Sequence, residues 1–295
     1  MDSFFSNKKA ICVFVLPAII VFSVIVFAPI LMSAWYSLLQ WNGIGKAEFI
    51  GFANYLRLFK DPRMLNALIN SMLFVGASVF IQLPISLILA LILASSIKGE
   101  GLYRTVYFIP VVISTTVIGQ LWIKIYNADY GLLNAFLIGV GWENLAQDWL
   151  GQRKTALVSV FIPILWQYVG YHMLILYAGA KSISGEIYEA AKIDGSTEIG
   201  TAFMITIPLM ASVLKVSLTL SIIGALKVFD LIYVLTGGGP FFSTEVPSTF
   251  MYTMIFDSFQ YGYGSSIAIF IIVECLVLSL AVNRIFGRGK SEASS

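Results

Sequence analysis

One uncharged stretch, Ala156–Ala180, carries four side chains able to hold a polar ligand: Gln167, Tyr168, Tyr171 and His172. Tyr168, Tyr171, His172 and Ile175 fall at i, i+3, i+4 and i+7, one face of a helix. Aromatic faces beside amide and hydroxyl groups suit a sugar, whose C–H faces are apolar and whose hydroxyls need partners. Helix packing or an interfacial aromatic belt is the competing reading of the tyrosines. A second stripe, Ser217, Ser221, Gly224 and Val228, repeats at i, i+4, i+7 and i+11; small residues so spaced equally suit a close helix–helix seam. Catalysis finds less support. There is a single histidine and no metal-ligand cluster. The tail Gly287-Arg288-Gly289-Lys290-Ser291 looks like the end of a phosphate loop, but the pattern needs glycine where Arg284 stands. No catalytic role and no bound metal are assigned.

The elements that must carry these residues follow from composition. Of 295 residues, 58% are apolar and 12% charged, with a net charge of +2 and a mean hydropathy of +0.87. A soluble domain carries about 25% charged residues, so a soluble enzyme and a disordered chain are both excluded. The small net charge argues against nucleic-acid binding. Cys12 and Cys275 lie in apolar runs and read as buried hydrophobes. The chain is an all-α integral membrane protein.

A helix needs roughly 20 apolar residues to cross the hydrocarbon core. Uncharged gaps supply that length four times, near 11–32, 67–94, 105–126 and 156–180, and two further apolar stretches, near 207–235 and 264–286, bring the count to six. Each is expected to be helical because lipid offers the backbone no other hydrogen-bond partner. Pro17, Pro29, Pro84, Pro110 and Pro163 stand within or at the ends of spans, where kinks are tolerated. The first span is too long for the core of a secretory signal and reads as an anchor. Lys8, Lys9, Arg284, Arg288 and Lys290 flank the two ends, which places both termini in the cytoplasm. The soluble mass is too small for a second domain, so residues 1–295 form a single transmembrane domain. Lys227 and Asp230 are expected to neutralise each other at i, i+3. Lys215 and Glu274, on antiparallel spans, form a further candidate pair.

The cytoplasmic segment 181–206 departs from an ordinary loop. Ser184 can cap a helix, Glu186 suits its first turn, and Gly195 can end it in a left-handed conformation. A second short helical stretch places Ile199, Phe203 and Ile207 on one side, and Pro208 opens the fifth span. A helix of about eleven residues is marginal alone and needs a surface to pack on. Ile187, Ala190, Ala191 and Ile193 offer one. Glu186, Glu189, Asp194 and Glu198 outweigh Lys181 and Lys192, so anionic lipid repels the segment and a protein partner is favoured.

Glu189-Ala190-Ala191, then Gly195, then Ile205-x-Ile207-Pro208 resembles the EAA signature of permease subunits of binding-protein-dependent ABC importers. Ile207 replaces the usual leucine. The runs GFANYLRLFKDP, LYRTVYFIPVVIS, YGLLNA, VFDLIYVLTGGGP and GYGSSIAI extend the similarity along most of the chain, toward the carbohydrate-uptake branch (maltose, glycerol-phosphate and oligosaccharide permeases). The resemblance implies a type I importer permease fold of six helices with a cytoplasmic coupling helix. Glu189, Ala190, Ala191, Asp194, Gly195 and Pro208 would serve coupling to a cytoplasmic ATPase dimer. ATP and Mg would be used by those partner subunits, with no cofactor bound by this chain. A second homologous permease and an extracytoplasmic solute-binding protein would complete the complex in the cell membrane. By the same resemblance the sugar would contact Gln167, Tyr168, Tyr171, Ser221, Gly224 and Ala225. The alternatives are an ion-coupled secondary transporter relaying protons through Asp230, Glu274 or His172, and a scaffold without a transport path. Secondary transporters usually show internal repeats, and no convincing internal symmetry is present.

Overall fold

The computed structural model describes the backbone of residues 8–95 and 97–287 and the side chains of 13–95 and 97–286. The expectations for the side chains of Lys8, Lys9 and Cys12, and for Arg288, Lys290 and the phosphate-loop-like tail, lie outside the described residues.

Apolar helices dominate the chain. Val13–Tyr36 (α1) and Pro62–Ala94 (α2) are long and apolar enough to cross a membrane. Glu100–Val112 (α3) and Thr115–Ile125 (α4) reach that length only as a pair, bent by 95° at their junction. Ala156–Lys181 (α5) is long and apolar enough by itself. Two short helices follow, Gly185–Ile193 (α6) and the apolar Glu198–Leu209 (α7). Ala211–Thr236 (α8) and Tyr261–Phe286 (α9) complete the set. The third expected span is therefore not one straight helix. Ile113 and Ser114 take extended conformations, with ψ of 138° and 132°. Pro110 gives α3 no amide donor there, and the β-branched run Val111-Val112-Ile113 holds a helix poorly. The fifth span also starts later than expected: Pro208 lies in the last turn of α7, and α8 begins after a break at Met210.

Three prolines act through one device. Ala28 N–H donates to Ser23 O, Leu83 N–H to Ser78 O, and Ile207 N–H to Ala202 O, each closing a π turn one residue before Pro29, Pro84 or Pro208. A proline cannot donate to the carbonyl four residues back, and its ring crowds that oxygen. Widening the preceding turn by one residue relieves the crowding without ending the helix.

The chain divides into two compact units, residues 1–61 with 251–272 and residues 62–250 with 273–295. In the smaller unit, a short antiparallel ribbon pairs Leu39–Gln40 (β1) with Glu48–Phe49 (β2). Asn54 Nδ2 donates to Ser37 O and Leu39 O at 2.8 and 2.9 Å. Arg57 lies 3.9 Å from the centroid of the Tyr263 ring and donates to Gln260 Oε1 at 2.7 Å. Tyr263 donates to Asp61 at 3.0 Å. Two runs noted in the sequence, 51–62 and 262–269, thus meet in space.

In the larger unit, α5 is the central element, packed against α2, α3 and α8. One apolar cluster centres on Phe74, Phe161, Ile164 and Ile232, a second on Leu93, Met173, Leu176 and Met210. Gly170 is required by packing: a Cβ there would run into the carbonyl of Tyr107 on α3. The turn at 237–240 behaves as its glycines predict, with φ of +59° at Gly237 and +93° at Gly238. The loop after it is held by α2. Arg63 grips the buried Glu245 through two hydrogen bonds of 2.5 and 2.6 Å, and Asn70 donates to Glu245 O at 2.8 Å. The two expected intramembrane pairs do not form: no ion pair joins Lys227 to Asp230 or Lys215 to Glu274 among the described residues, and Glu274 Oε2 is buried without a partner. Lys227 and Asp230 instead flank a break in α8, where Phe229 leaves helical geometry at φ −140°.

Candidate functional site

The segment between α5 and α8 is a helix–turn–helix projecting from the bundle. Ser184 has extended geometry at the start of α6, but its hydroxyl makes no cap bond; its carbonyl accepts from Ile187 N–H at 3.2 Å. The far end of α6 is closed tightly. Gly195 has φ +77°, its N–H bonds to Lys192 O at 3.2 Å, and Ser196 N–H bonds to Ala191 O at 2.9 Å. This is the Schellman arrangement, and it needs a residue that tolerates positive φ. Thr197 then caps α7, accepting from Gly200 N–H at 3.1 Å.

The exposure of this segment differs from the sequence expectation at one position. Ile187, Ala190 and Ile193 lie on the surface, Ile193 at 86% exposure, but Ala191 is turned inward and only 5% exposed. Tyr188 leans the same way, its hydroxyl 3.5 Å from Ala180 O and 3.4 Å from Thr206 Oγ1. Glu189, Asp194, Gly195 and Pro208 are exposed. The acidic groups of α6 and α7 make no ion pair with described residues. Where the segment leaves α5, Lys181 Nζ stands 3.5 Å from Glu100, and Tyr177 donates to the same carboxylate. This ties the root of the loop to the first turn of α3.

A cavity of about 330 Å³ opens between α2, α4, α5 and α8. All six residues expected to contact substrate line it: Gln167, Tyr168 and Tyr171 from α5, and Ser221, Gly224 and Ala225 from α8. Gln167 is 2% and Ser221 3% exposed, yet Gln167 Oε1 and Ser221 Oγ have no hydrogen-bond partner. A buried polar group left unpaired costs about 1–3 kcal/mol, so such atoms mark a place for a polar guest. The two readings of the α8 stripe divide between its residues. Ser217 belongs to a seam, since its hydroxyl is 2.9 Å from His172 Nδ1. Gly224 does not, because a Cβ there would meet no atom within 4 Å. Sequence reasoning missed Phe74, Ser78 and Gln82 of α2 and Thr115 of α4, which also line the cavity. Gln82, a polar residue inside an apolar span two positions before a proline, was the available signal.

Residues 82–291 match the family of binding-protein-dependent transport system inner membrane components. The probable ABC transporter permease protein YurN of Bacillus subtilis (strain 168) is 40% identical over 289 residues, spanning 97% of this chain and 99% of that protein. The trehalose/maltose transport system permease protein MalF of Thermococcus litoralis is 35% identical over 269 residues, 91% of this chain and 90% of its own. Among solved structures, a chain of a bacterial ABC transporter involved in import of the acidic polysaccharide alginate superposes with a TM-score of 0.84 at 22% identity, over 96% of each chain. With its bundle of apolar helices, its projecting loop and this family match over most of its length, the chain belongs to the inner-membrane permease components of binding-protein-dependent transport systems.

Proposed function

We propose that this chain is the translocation subunit of an ATP-driven sugar importer, and that its six spans act as one transmembrane domain. The observation that carries this reading is a shared location. The continuous stretch α5–α6–α7–α8 supplies both the exposed EAA segment and the polar wall of the cavity. A pull on the loop is therefore a pull on the helices that line the path. The relatives and structural neighbours include transporters of trehalose and maltose and of alginate, which supports a carbohydrate substrate. Gln167, Tyr168, Tyr171, Ser221, Gly224 and Ala225 contact the sugar, with tyrosine faces against its C–H surface and Gln167 and Ser221 against its hydroxyls.

Glu189, Ala190, Asp194 and Gly195 dock α6 into a cytoplasmic ATPase subunit, while Ala191 fastens α6 to its own bundle and Pro208 sets the turn into α8. Hydrolysis of ATP, with Mg, belongs to the partner ATPase dimer, and this chain carries no nucleotide-binding motif of its own. A solute-binding protein delivers the sugar from outside; a solved neighbour holds a periplasmic protein loaded with an alginate pentasaccharide. The most apolar stretch of α1 has no buried residue, which supports a second permease subunit as its packing partner. The positive charges at both chain ends support cytoplasmic termini.

The test is co-purification of the intact complex from membranes, with mass spectrometry of the partners and of the bound sugar. In proteoliposomes, uptake should need ATP and the ATPase and resist a protonophore, which an ion-coupled carrier would not. Glu189→Lys combined with Gly195→Pro should abolish ATP-driven uptake while membrane insertion persists. Unchanged uptake in that variant would remove the loop from the mechanism.

A further inference from the structure

The wall of the cavity that the sequence did not foresee is a turn of α2. Phe74, Ser78 and Gln82 recur every four residues and all face the cavity. In an α-helix, residues four apart step about 40° past one another, so such a row would drift off the wall. The π turn at 78–82 takes more residues per turn and swings the row back. It exists because of Pro84, as described above, and π turns of this kind are frequent at functional sites. One turn further on, Ser86 Oγ donates to Val169 O at 3.0 Å, fastening α2 to α5 beside Gln167.

Gln82 is 4% exposed. Its backbone carbonyl accepts from Ser86 Oγ at 2.8 Å, while its side chain lines the cavity. A second buried amide, Gln167, faces the same space with its oxygen unpaired. We propose that Gln82 is a substrate-recognition residue which, with Gln167 on the neighbouring helix, reads hydroxyl groups of the transported sugar. Each amide presents one acceptor and one two-proton donor. Two amides on adjacent helices therefore match adjacent hydroxyls, each of which can both give and take a hydrogen bond. The π turn is the structural device that keeps Gln82 aimed at this task. The inference rests on the sugar-path reading above and adds α2 to it.

The test pairs a change in the protein with a change in the sugar. The full complex in proteoliposomes is given radiolabelled maltose, or the sugar that co-purification identifies in its place, and the monodeoxy analogues of that sugar. Wild-type uptake should fall about tenfold for the analogue lacking the hydroxyl that Gln82 reads. Gln82→Leu should show a similar loss with the parent sugar and no further loss with that one analogue. Unchanged uptake in Gln82→Leu overturns the proposal, and so does a common factor of loss across every analogue, which is the mark of a merely structural role. Should Gln82→Leu fail to assemble, Gln82→Asn keeps the amide but withdraws it by one methylene, and it must still alter the ranking of the analogues. Gln167→Leu runs alongside. If Gln167 couples to an analogue and Gln82 does not, this inference alone falls; if neither couples, the sugar path itself is misplaced.

Discussion

In the loop between α5 and α8, Ile187, Ile193, Ile199, Phe203 and Met204 lie exposed, whereas in the cavity Gln82, Gln167 and Ser221 lie buried. Each region inverts the ordinary distribution for its surroundings. Apolar side chains facing water forgo about 25 cal/mol for each Å² left uncovered. Buried amides and hydroxyls without partners cost about 1–3 kcal/mol each. Under the proposed function, a protein surface would relieve the first deficit and a hydroxyl-rich small molecule the second. The two regions also differ in construction. The loop is made from consecutive residues and closed by local hydrogen bonds, while the cavity is assembled from four helices far apart in sequence.

Four substitutions bear on that contrast. The largest effect is expected at Ile193. Ile193→Glu should weaken assembly with the ATPase by roughly 3 kcal/mol, in the range of interface hot spots, while leaving membrane insertion intact. Pull-down of the ATPase from solubilised membranes measures it, and undiminished assembly would mean that the exposed apolar face is not a contact. Next is a pair of glycines on facing elements. Gly170→Leu should destabilise the purified protein by about 2 kcal/mol through overpacking against α3, seen as a lower thermal midpoint. Gly224→Leu should leave that midpoint nearly unchanged, because nothing lies within 4 Å, yet reduce uptake by filling the cavity. A similar thermal loss at both sites would return Gly224 to the packing seam. The smallest effect belongs to Thr197→Ala, which removes the α7 cap for about 1 kcal/mol. It should raise amide hydrogen exchange across 198–201 with little change in uptake; a large loss of uptake would give α7 a greater share in coupling.

Local features were readable wherever a residue's chemistry acts on its own neighbours. Gly195 and the turn at Gly237-Gly238 take the positive φ that their positions predict. The stripe on α5 was legible because helical spacing places Tyr168, Tyr171 and His172 on one face, and all three line the cavity; Gln167, a polar residue off that stripe, was assigned to the sugar path only through the resemblance. The resemblance carried Ala225 to the same wall, where its side chain offers no polar group. The inward turn of Ala191 was not legible, since spacing defines a face but not which side the bundle takes. The bend between α3 and α4 was missed for a related reason: hydropathy reports the length of an apolar run, and a broken run of the same length scores alike. The pair Arg63 and Glu245, 182 positions apart in the chain, left no local trace.

By itself the amino-acid order determined that this is a bundle of membrane-length helices with an acidic, glycine-closed segment between its fourth and fifth spans. Those properties depend on hydropathy, backbone conformational preference and short-range hydrogen bonding, all of which act over a few residues. Only the tertiary structure decided that Gln82 joins Gln167 across two helices, that Lys215 and Glu274 stay apart, and that Gly224 faces open space while Gly170 faces a backbone. Such outcomes depend on how far each helix is rotated about its axis. That rotation is set by the packing of many side chains together, and here it is further shifted by the extra residue of the π turn before Pro84.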